Sequence, residues 1–336
     1  MRRSLLLSSL AVLALVSAAR QQEGQAPPLV AGDAAFTWDA AWPRLALEDG
    51  VALGNTHGGI VAGADGTMYF NTDAEHAVVA IGADGAMTGT VGEGLGGGAH
   101  GMCIRVEDGA EVLYVAHTGL HEVRKLSLKG EVLQRFGWPE SSEHYDDAGQ
   151  FRPTAVAVAS DGTVFVADGY GRSWLHAYGP DGAWLRDFGG PGTEPGQLRT
   201  PHGITLDERG DAPVLVVSDR ENRRLQTFAL DGTFLAVVAE DLRRPCGVSI
   251  RGDLCAVAEL EGRVTVLDGD WKVAGHLGDQ PDRKLWATNQ VGADRFEEGR
   301  FLSPHAVCWG RDGDLYVMDW NMLGRVTRLA RVPSKD

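Results

Sequence analysis

The chain has 336 residues, 43% of them hydrophobic, and a formal net charge of −15. The hydrophobic fraction is ample for a buried core. The acidic balance argues against nucleic acid as a partner, because a phosphate backbone is bound by clustered Lys and Arg. The 45 glycines predict many short strands joined by tight turns.

Residues 1–19 have the pattern of an export signal. Two arginines precede a short apolar run over residues 5–16, and small residues follow it. The run is too short to cross a bilayer comfortably. We expect cleavage of this signal peptide and export to the periplasm or the extracellular space, with a retained anchor as the alternative. Residues 20–33 are then expected to form a flexible mature N-terminus, and no membrane span is expected in the mature form.

Six similar segments, about fifty residues apart, follow one another along the chain. Each contains an apolar strand, a turn centred on Asp and Gly, a second strand rich in Val, Tyr and Phe, and two further strands. Four short strands in a unit of this length are typical of a propeller blade. The sequence therefore predicts one all-β, six-bladed β-propeller over residues 34–333. The second residues of the six segments, called ring positions below, are His57, His100, Thr154, His202, Cys246 and His305.

The sixth blade is short, because residues 304–332 have room for only three of the four strands. We expect residues 34–47, which precede the first blade, to supply the missing outer strand. This pairing would close the ring and remove two exposed sheet edges.

The four cysteines have no clear disulfide pattern. Cys103 and Cys308 each follow a ring histidine by three residues in an apolar strand, which predicts small core residues. Cys246 and Cys255 flank one hairpin. Export permits a disulfide between them, but their offset register does not favour it.

Three of the four ring histidines lie on alternate blades of the predicted propeller. His100, His202 and His305 fall on blades two, four and six, so their imidazoles converge on the axis with three-fold symmetry. Three protein ligands and one open position are the ligand set of a catalytic zinc ion. The sequence thus predicts zinc, or another divalent transition metal, at the channel mouth. The alternative is that these histidines only hydrogen-bond neighbouring loops.

A second polar ring is expected beside the histidines. The second strand of each blade returns to the same mouth and closes there on Asn71, His117, Asp168, Asp219, Glu259 or Asp319. His117 and the three aspartates, together with His57, are candidates for supporting the metal ligands. His57 lies on blade one and breaks the alternation, so it is a fourth ligand, a partner of a ligand or a wall residue.

Several stretches are more specific than the ring itself: AHGM, LHEVRKL, GQFRPTAVAVASDGTVFVADGYGRS, PGQLRTPHGITL, SDRENRRLQTF and SPHAV. Through them the repeats resemble NHL repeats, and residues 95–330 resemble the peptidyl-α-hydroxyglycine α-amidating lyases. The resemblance implies a six-bladed propeller with a histidine-ligated zinc in its channel. It also implies an enzyme that cleaves a carbinolamide C–N bond to give an amide and glyoxylate.

The resemblance implies roles for individual residues. His100, His202 and His305 match the three zinc ligands of the family. Tyr170, in DGYG, matches its proposed general base, and Arg220, in SDREN, matches the arginine that supports this tyrosine. The implied substrate is a small molecule or a peptide bound at the channel mouth. A nearby cation favours the phenolate, which a tyrosine with its usual pKa of about 10 rarely forms at neutral pH.

The chain departs from the family at several positions. Ala306 replaces an Asp that helps to hold a structural calcium, so no such calcium is expected. Ser303 replaces a Met before the last zinc histidine, and a substrate-binding Arg of blade one is replaced near Asn71 and Thr72. The metal-centred core is therefore expected to be kept, whereas the peptide specificity stays open.

Two other functions are compatible with the sequence. A non-catalytic NHL propeller would bind a protein or a carbohydrate at its channel mouth and would need no metal. A metal-dependent lactonase-type hydrolase would surround a hard cation with carboxylates and Asn. Stoichiometric metal content separates the lyase from the pure binding module.

Overall fold

The computed structural model describes residues 28–39, 42–43 and 53–333. Within these ranges, six antiparallel sheets surround a central channel. The molecule is the all-β, six-bladed propeller that the repeats predict. The predicted signal peptide at residues 1–19 lies outside the described residues. None of the helices in the described ranges has the length and apolar character needed to cross a membrane.

The strands follow the blades in chain order. Two N-terminal strands, β1 (Leu29–Ala31) and β2 (Ala34–Asp39), precede blade one. Blade one contains β3 (Thr56–Ala62), β4 (Met68–Thr72), β5 (His76–Ile81) and β6 (Met87–Glu93). Blade two contains β7 (Ala99–Glu107), β8 (Ala110–His117), β9 (Glu122–Ser127) and β10 (Val132–Gly137). Blade three contains β11 (Ala155–Val158), β12 (Val164–Ala167), β13 (Trp174–Tyr178) and β14 (Trp184–Gly189).

The remaining blades repeat this order. Blade four contains β15 (Pro201–Asp207), β16 (Val214–Asp219), β17 (Arg224–Ala229) and β18 (Phe234–Ala239). Blade five contains β19 (Pro245–Arg251), β20 (Leu254–Glu259), β21 (Arg263–Leu267) and β22 (Val273–Leu277). Blade six begins with β23 (Pro304–Trp309), β24 (Leu315–Asp319) and β25 (Arg325–Arg331). Short 3-10 helices lie at Ala148–Gln150, Arg220–Asn222, Arg283–Leu285 and Ala293–Arg295.

The second strand of each blade is buried on both faces, because it lies between two neighbouring sheets. All four residues of β12, with the sequence VFVA, are buried. Between blades three and four, Phe165, Leu215 and Phe228 belong to one core cluster. A strand buried on both faces appears in the sequence as a short continuous apolar run. This explains why apolar and polar residues do not alternate strictly along the second strands of the repeats.

The N-terminal segment completes the sixth blade. β2 pairs antiparallel with β25, with Trp38 opposite Leu329. This pairing confirms the outer strand expected from residues 34–47, of which Ala34–Asp39 form the strand. Residues 40–41 and 44–47 lie outside the described residues.

β1 adds a fifth strand to the sixth sheet, within the segment that the sequence predicts to be flexible. The Gly32 N–H also donates to the carbonyl of Ala274 in blade five at 3.0 Å. Gly275 permits this approach, because a Cβ at that position would lie 2.8 Å from Cα of Ala31. The propeller therefore begins before the expected boundary at residue 34, and β1 joins blades five and six.

Candidate metal centre and active site

Four of the six ring positions bring imidazoles together at the channel axis. The ring centroids of His100 and His202 lie 4.8 Å apart, those of His202 and His305 4.6 Å, and those of His100 and His305 5.0 Å. His57 joins them at 4.7 Å from His100 and 4.5 Å from His305. The structure thus gathers the three predicted ligands and the histidine that breaks the alternation.

Each of the three alternate histidines directs Nδ1 at a carbonyl of the following blade. The Nδ1 atoms of His100, His202 and His305 lie 2.5, 3.3 and 3.0 Å from the carbonyl oxygens of Thr154, Cys246 and Gly58, respectively. A carbonyl can only accept, so at His100 and His202 Nδ1 carries the proton and Nε2 keeps its lone pair. Nδ1 of His305 lies 3.0 Å from the carbonyl oxygen of Gly58 and 3.3 Å from the N–H of the same residue, and the shorter contact is the one to the carbonyl. This is the arrangement in which a protein prepares a histidine for a metal.

Glycines next to two of these histidines, His100 and His202, make the contacts possible. A Cβ on Gly101 would lie 2.5 Å from the Thr154 carbonyl oxygen, the same atom that Nδ1 of His100 contacts. Likewise, a Cβ on Gly203 would clash with the Cys246 carbonyl oxygen, which is the atom that Nδ1 of His202 contacts. In blades two and four the His-Gly pair therefore has a direct geometric reason: the glycine lets the next inner strand approach closely enough to orient the imidazole.

The Nε2 atoms of His100 and His305 are buried and have no hydrogen-bond partner among the described residues. A buried nitrogen without a partner is costly, and such atoms mark places where an ion or water is bound. Two triplets have all their potential ligand atoms within 4.8 Å of one another: His57, His100 and His305, and His202, Cys246 and His305. The donor set fits a borderline cation such as zinc. His100 belongs to the first triplet and His202 to the second, whereas His305 belongs to both.

The histidines are held neutral by their surroundings. Burial lowers the pKa values of His100, His202 and His305 well below 6.5, and neighbouring imidazoles and Arg220 act in the same direction. Burial also lowers the pKa of His57 to about 4. Only a neutral imidazole can bind a cation, so these histidines are in the protonation state that a metal would require.

Tyr170 and Arg220, the two residues assigned to catalysis by resemblance, lie beside the histidines. Tyr170 follows β12, and its hydroxyl is 3.0 Å from Nε2 of His202. Nη1 of Arg220 donates to the same hydroxyl at 3.4 Å. Burial raises the pKa of Tyr170, whereas the Arg220 guanidinium opposes that rise. Arg220 also donates to Glu221 at 3.0 Å, so both the ion pair and the tyrosine contact are present.

The predicted polar ring anchors the loops that carry the ring residues. Oδ1 of Asp168 accepts from the N–H of Arg152 at 2.6 Å, two residues before the ring position of blade three. Asp219 accepts from the N–H of Arg199 at 2.7 Å, and Asp319 from the N–H groups of Leu302 and Ser303. These carboxylates therefore support the inner strands through their entry loops.

His117 has a similar role in the loop before blade two. Its Nδ1 accepts from the N–H of Leu120 at 3.0 Å, and its Nε2 lies 3.2 Å from the carbonyl of Leu95. Both contacts are local, and they fix the turn after β8 against the strand connection from blade one. Of the five supporting candidates, His57 is the one whose ring contacts metal-ligand candidates directly.

Two features of the site were not singled out by sequence reasoning. Tyr145 donates to Asp168 at 2.7 Å and lies 2.8 Å from Nε2 of His176, so a buried trio supports the turn that carries Tyr170. Cys246 is a free thiol at the ring position of blade five, and Cys255 is also free. The ring alignment already contained Cys246, but Tyr145 lies in an irregular loop with no repeat signal.

The channel below the histidines is narrow. Ring residues, among them His100, His202 and His305, and the residues that follow them line a cavity of about 70 Å³ there. Such a volume holds water molecules but no organic substrate beside them. A substrate would therefore reach the histidines from the mouth side, where Tyr170 lies and where Trp320 has its ring centroid 5.8 Å from that of His57.

The fold and the site together define a β-propeller with a histidine-lined channel mouth. In sequence the chain resembles the peptidyl-α-hydroxyglycine α-amidating lyases over about two thirds of its length. It is 32% identical over 249 residues to peptidyl-alpha-hydroxyglycine alpha-amidating lyase 2 of Drosophila melanogaster, covering 70% of this chain and 56% of that one. It is 29% identical over 231 residues to the peptidyl-glycine alpha-amidating monooxygenase of Mus musculus, covering 66% of this chain and 22% of that one.

The chain thus spans between about a fifth and three fifths of the length of these curated relatives. A scan against models of protein families finds no match. Among solved structures, a gluconolactonase from Xanthomonas campestris has a TM-score of 0.61 at 14% identity, covering 92% of this chain and 99% of that one. A streptogramin B lyase has a TM-score of 0.57 at 15% identity, covering 84% and 94%. At these identities the two structures support the propeller fold alone.

Proposed function

We propose that the protein is a metal-dependent lyase that cleaves the C–N bond of a carbinolamide. With an acylated α-hydroxyglycine as substrate, the products are a primary amide and glyoxylate. The observation that carries this proposal is the placement of the Tyr170 hydroxyl 3.0 Å from Nε2 of His202, beside unpartnered imidazole nitrogens of the channel mouth. The resemblance to the amidating lyases over two thirds of the chain supports it.

In this proposal His100, His202 and His305 hold the metal through Nε2. The Nδ1 contacts of His100 and His202 to carbonyls of the next blade support this role, because they leave Nε2 with its lone pair. We propose zinc, because three neutral imidazoles with an open position suit it. When bound, such an ion polarises a substrate oxygen as a Lewis acid.

Tyr170 is the proposed general base. As the phenolate, it removes the proton of the substrate hydroxyl, and the oxygen electrons form the carbonyl of the aldehyde. The electrons of the breaking C–N bond move to nitrogen, which takes up a proton and leaves as the amide. Substrate and products balance without oxidant or added water, so the reaction is an elimination.

Arg220 favours ionisation of the Tyr170 phenol. Its guanidinium donates to the Tyr170 hydroxyl and carries the positive charge that favours the ionised phenol. Glu221 fixes this arginine, and Arg244 in turn binds Glu221 at 2.6 Å. Tyr170, Arg220 and Arg244 come from three consecutive blades, so the proposed base is supported by contacts between blades.

Export of the mature protein is part of the proposal and depends on the signal pattern at residues 1–19. The lactonase-type alternative has less support, because both carboxylate oxygens of Asp168 and of Asp219 already accept hydrogen bonds from the protein. The non-catalytic binding module differs from the lyase in needing no metal and forming no product.

The direct test is glyoxylate release from an N-acylated α-hydroxyglycine, chosen small because blade one departs from the family near Asn71 and Thr72. Purified protein should release glyoxylate faster than buffer alone, lose this activity after chelation and regain it with zinc. An N-acylated glycine, which lacks the hydroxyl, is the matched substrate control. Failure of the metal-replete protein on several such substrates would reject the lyase and favour the binding module.

A further inference from the structure

A cysteine occupies the ring position of blade five. Cys246 is 1% exposed, and its Sγ belongs to a triplet whose ligand atoms all lie within 4.8 Å of one another. The other two members are His202 and His305. The thiol therefore lies at the same axial level as the imidazoles, on the blade between those of His202 and His305.

A second observation shows that this triplet is more than a buried thiol in a core. Nε2 of His305 is buried, and among the described residues it has no hydrogen-bond partner. Both backbone contacts of this ring involve Nδ1, which lies 3.0 Å from the carbonyl oxygen of Gly58 and 3.3 Å from its N–H. Nε2 is therefore the nitrogen of His305 that is available to a cation beside Sγ of Cys246. Nδ1 of His202 is likewise directed at the backbone carbonyl of Cys246 itself.

We propose that His202, Cys246 and His305 form a sulfur-containing binding position for thiophilic divalent cations. This binding position rests on the proposed function, because it shares His202 and His305 with the proposed zinc site. The two positions therefore cannot be occupied by two cations at the same time. The channel mouth then has an all-nitrogen position and a mixed nitrogen–sulfur position side by side. A cation that prefers thiolate is drawn away from His100 toward Cys246.

The chemistry follows from ligand softness. Imidazole suits zinc, cobalt and copper, whereas thiolate adds preference for softer cations such as cadmium. Two imidazoles and one thiolate leave a fourth position open for water, as in catalytic sites with mixed ligands. Binding exchanges the thiol proton for the metal–sulfur bond, and this proton is released to the buffer.

Cobalt(II) titration of the metal-free full-length mature protein tests the proposal. A cobalt–thiolate bond gives an intense near-ultraviolet charge-transfer band, and cobalt bound by nitrogen and oxygen alone does not. We expect this band in the wild type, its complete loss in Cys246→Ala and its retention in Cys308→Ala. Cys308 is the matched control, because it is also a free cysteine on an inner strand.

The possible results separate this inference from the proposed function. One bound cobalt per chain without the charge-transfer band in the wild type would overturn the sulfur position and leave the histidine site intact. A band in a protein that releases no glyoxylate would support the sulfur position while the lyase proposal fails. The wild-type spectrum decides the question even if Cys246→Ala does not fold, and a thermal melt shows whether it does. A band that persists in folded Cys246→Ala also rejects the assignment.

Discussion

The Tyr170 hydroxyl donates to Nε2 of His202 across 3.0 Å. Because Nδ1 of His202 is directed at a backbone carbonyl, Nε2 is the nitrogen with the free lone pair. A metal ion at His202 needs the same lone pair. A metal ion bound at His202, as proposed above, would therefore displace the tyrosine contact, and Arg220 would remain as a partner of the phenol.

Replacing Tyr170 with Phe should separate metal binding from chemistry. A positioned general base commonly contributes roughly 10²–10⁴ in rate, so Tyr170→Phe should lose glyoxylate release by about that factor. Zinc affinity should be kept or increased, because the competing hydroxyl is gone. Turnover and zinc titration of the two proteins measure these effects. A mutant with wild-type turnover would remove the tyrosine from the mechanism.

Histidine substitutions should identify the ligand set. His202→Ala is expected to lose stoichiometric zinc and stay folded, because His202 is one of the three proposed ligands beside His100 and His305. His57→Ala should keep one zinc per chain if His57 only borders the site. His76, exposed on β5, provides the neutral control His76→Ala. Analysis of bound zinc after dialysis distinguishes the cases. If His57→Ala loses zinc and His202→Ala retains it, the zinc site is the triplet of His57, His100 and His305 instead.

Removal of residues 28–39 should destabilise the whole propeller. The deletion takes away β1 and β2, leaves β25 as an exposed edge and uncovers Leu329, which is fully buried. We expect a lower melting temperature and a less cooperative transition. Removal of residues 20–27, which leaves both strands in place, is the control. An unchanged cooperative melt of the larger deletion would mean that the ring closes in another way.

Acid should destabilise the protein through its buried histidines. His176 is the simplest one to measure, because it lies on β13, away from the four histidines at the channel axis. Burial lowers the pKa of His176 to about 3, whereas its ordinary value is 6.5. Below pH 6.5 the unfolded chain takes up a proton that the folded chain refuses. The free energy of unfolding therefore falls as the pH drops from 6.5 toward 3, by at most about 1.4 kcal/mol per pH unit for this residue.

The variant His176→Asn should reduce that slope while the other histidines still contribute. Denaturant unfolding of both proteins at several pH values, in the same metal state, gives the comparison. Equal slopes for variant and wild type between pH 6.5 and 4 would show that His176 is not held neutral by the fold.

The repeats predict the fold and the ring because each ring position has the same strand context. His100, His202 and His305 could be placed on the axis from spacing alone. The support of Tyr170 could not be predicted in the same way, since Tyr145 reaches Asp168 from a loop without periodicity. The strand β1 was also missed, because three residues carry too little pattern to distinguish a strand from a flexible terminus.

The choice of nitrogen on each imidazole is likewise a property of the assembled ring. Nδ1 of His100 contacts a carbonyl that is distant in sequence, and only the glycine-permitted approach of the next blade brings it within reach. The histidine types are visible in the sequence, but their tautomers follow from packing between blades.

Closure of the sixth blade has a kinetic consequence. Asp39 in β2 contacts Arg328 in β25, 289 residues later in the chain. Such distant pairing is slow, because most of the chain must be arranged before the ends can meet. During synthesis from the N-terminus, β2 has no partner until nearly the last residues have emerged. The nascent protein therefore carries an unpaired β-strand through most of its synthesis, which makes a late holding or chaperoning step valuable for this fold.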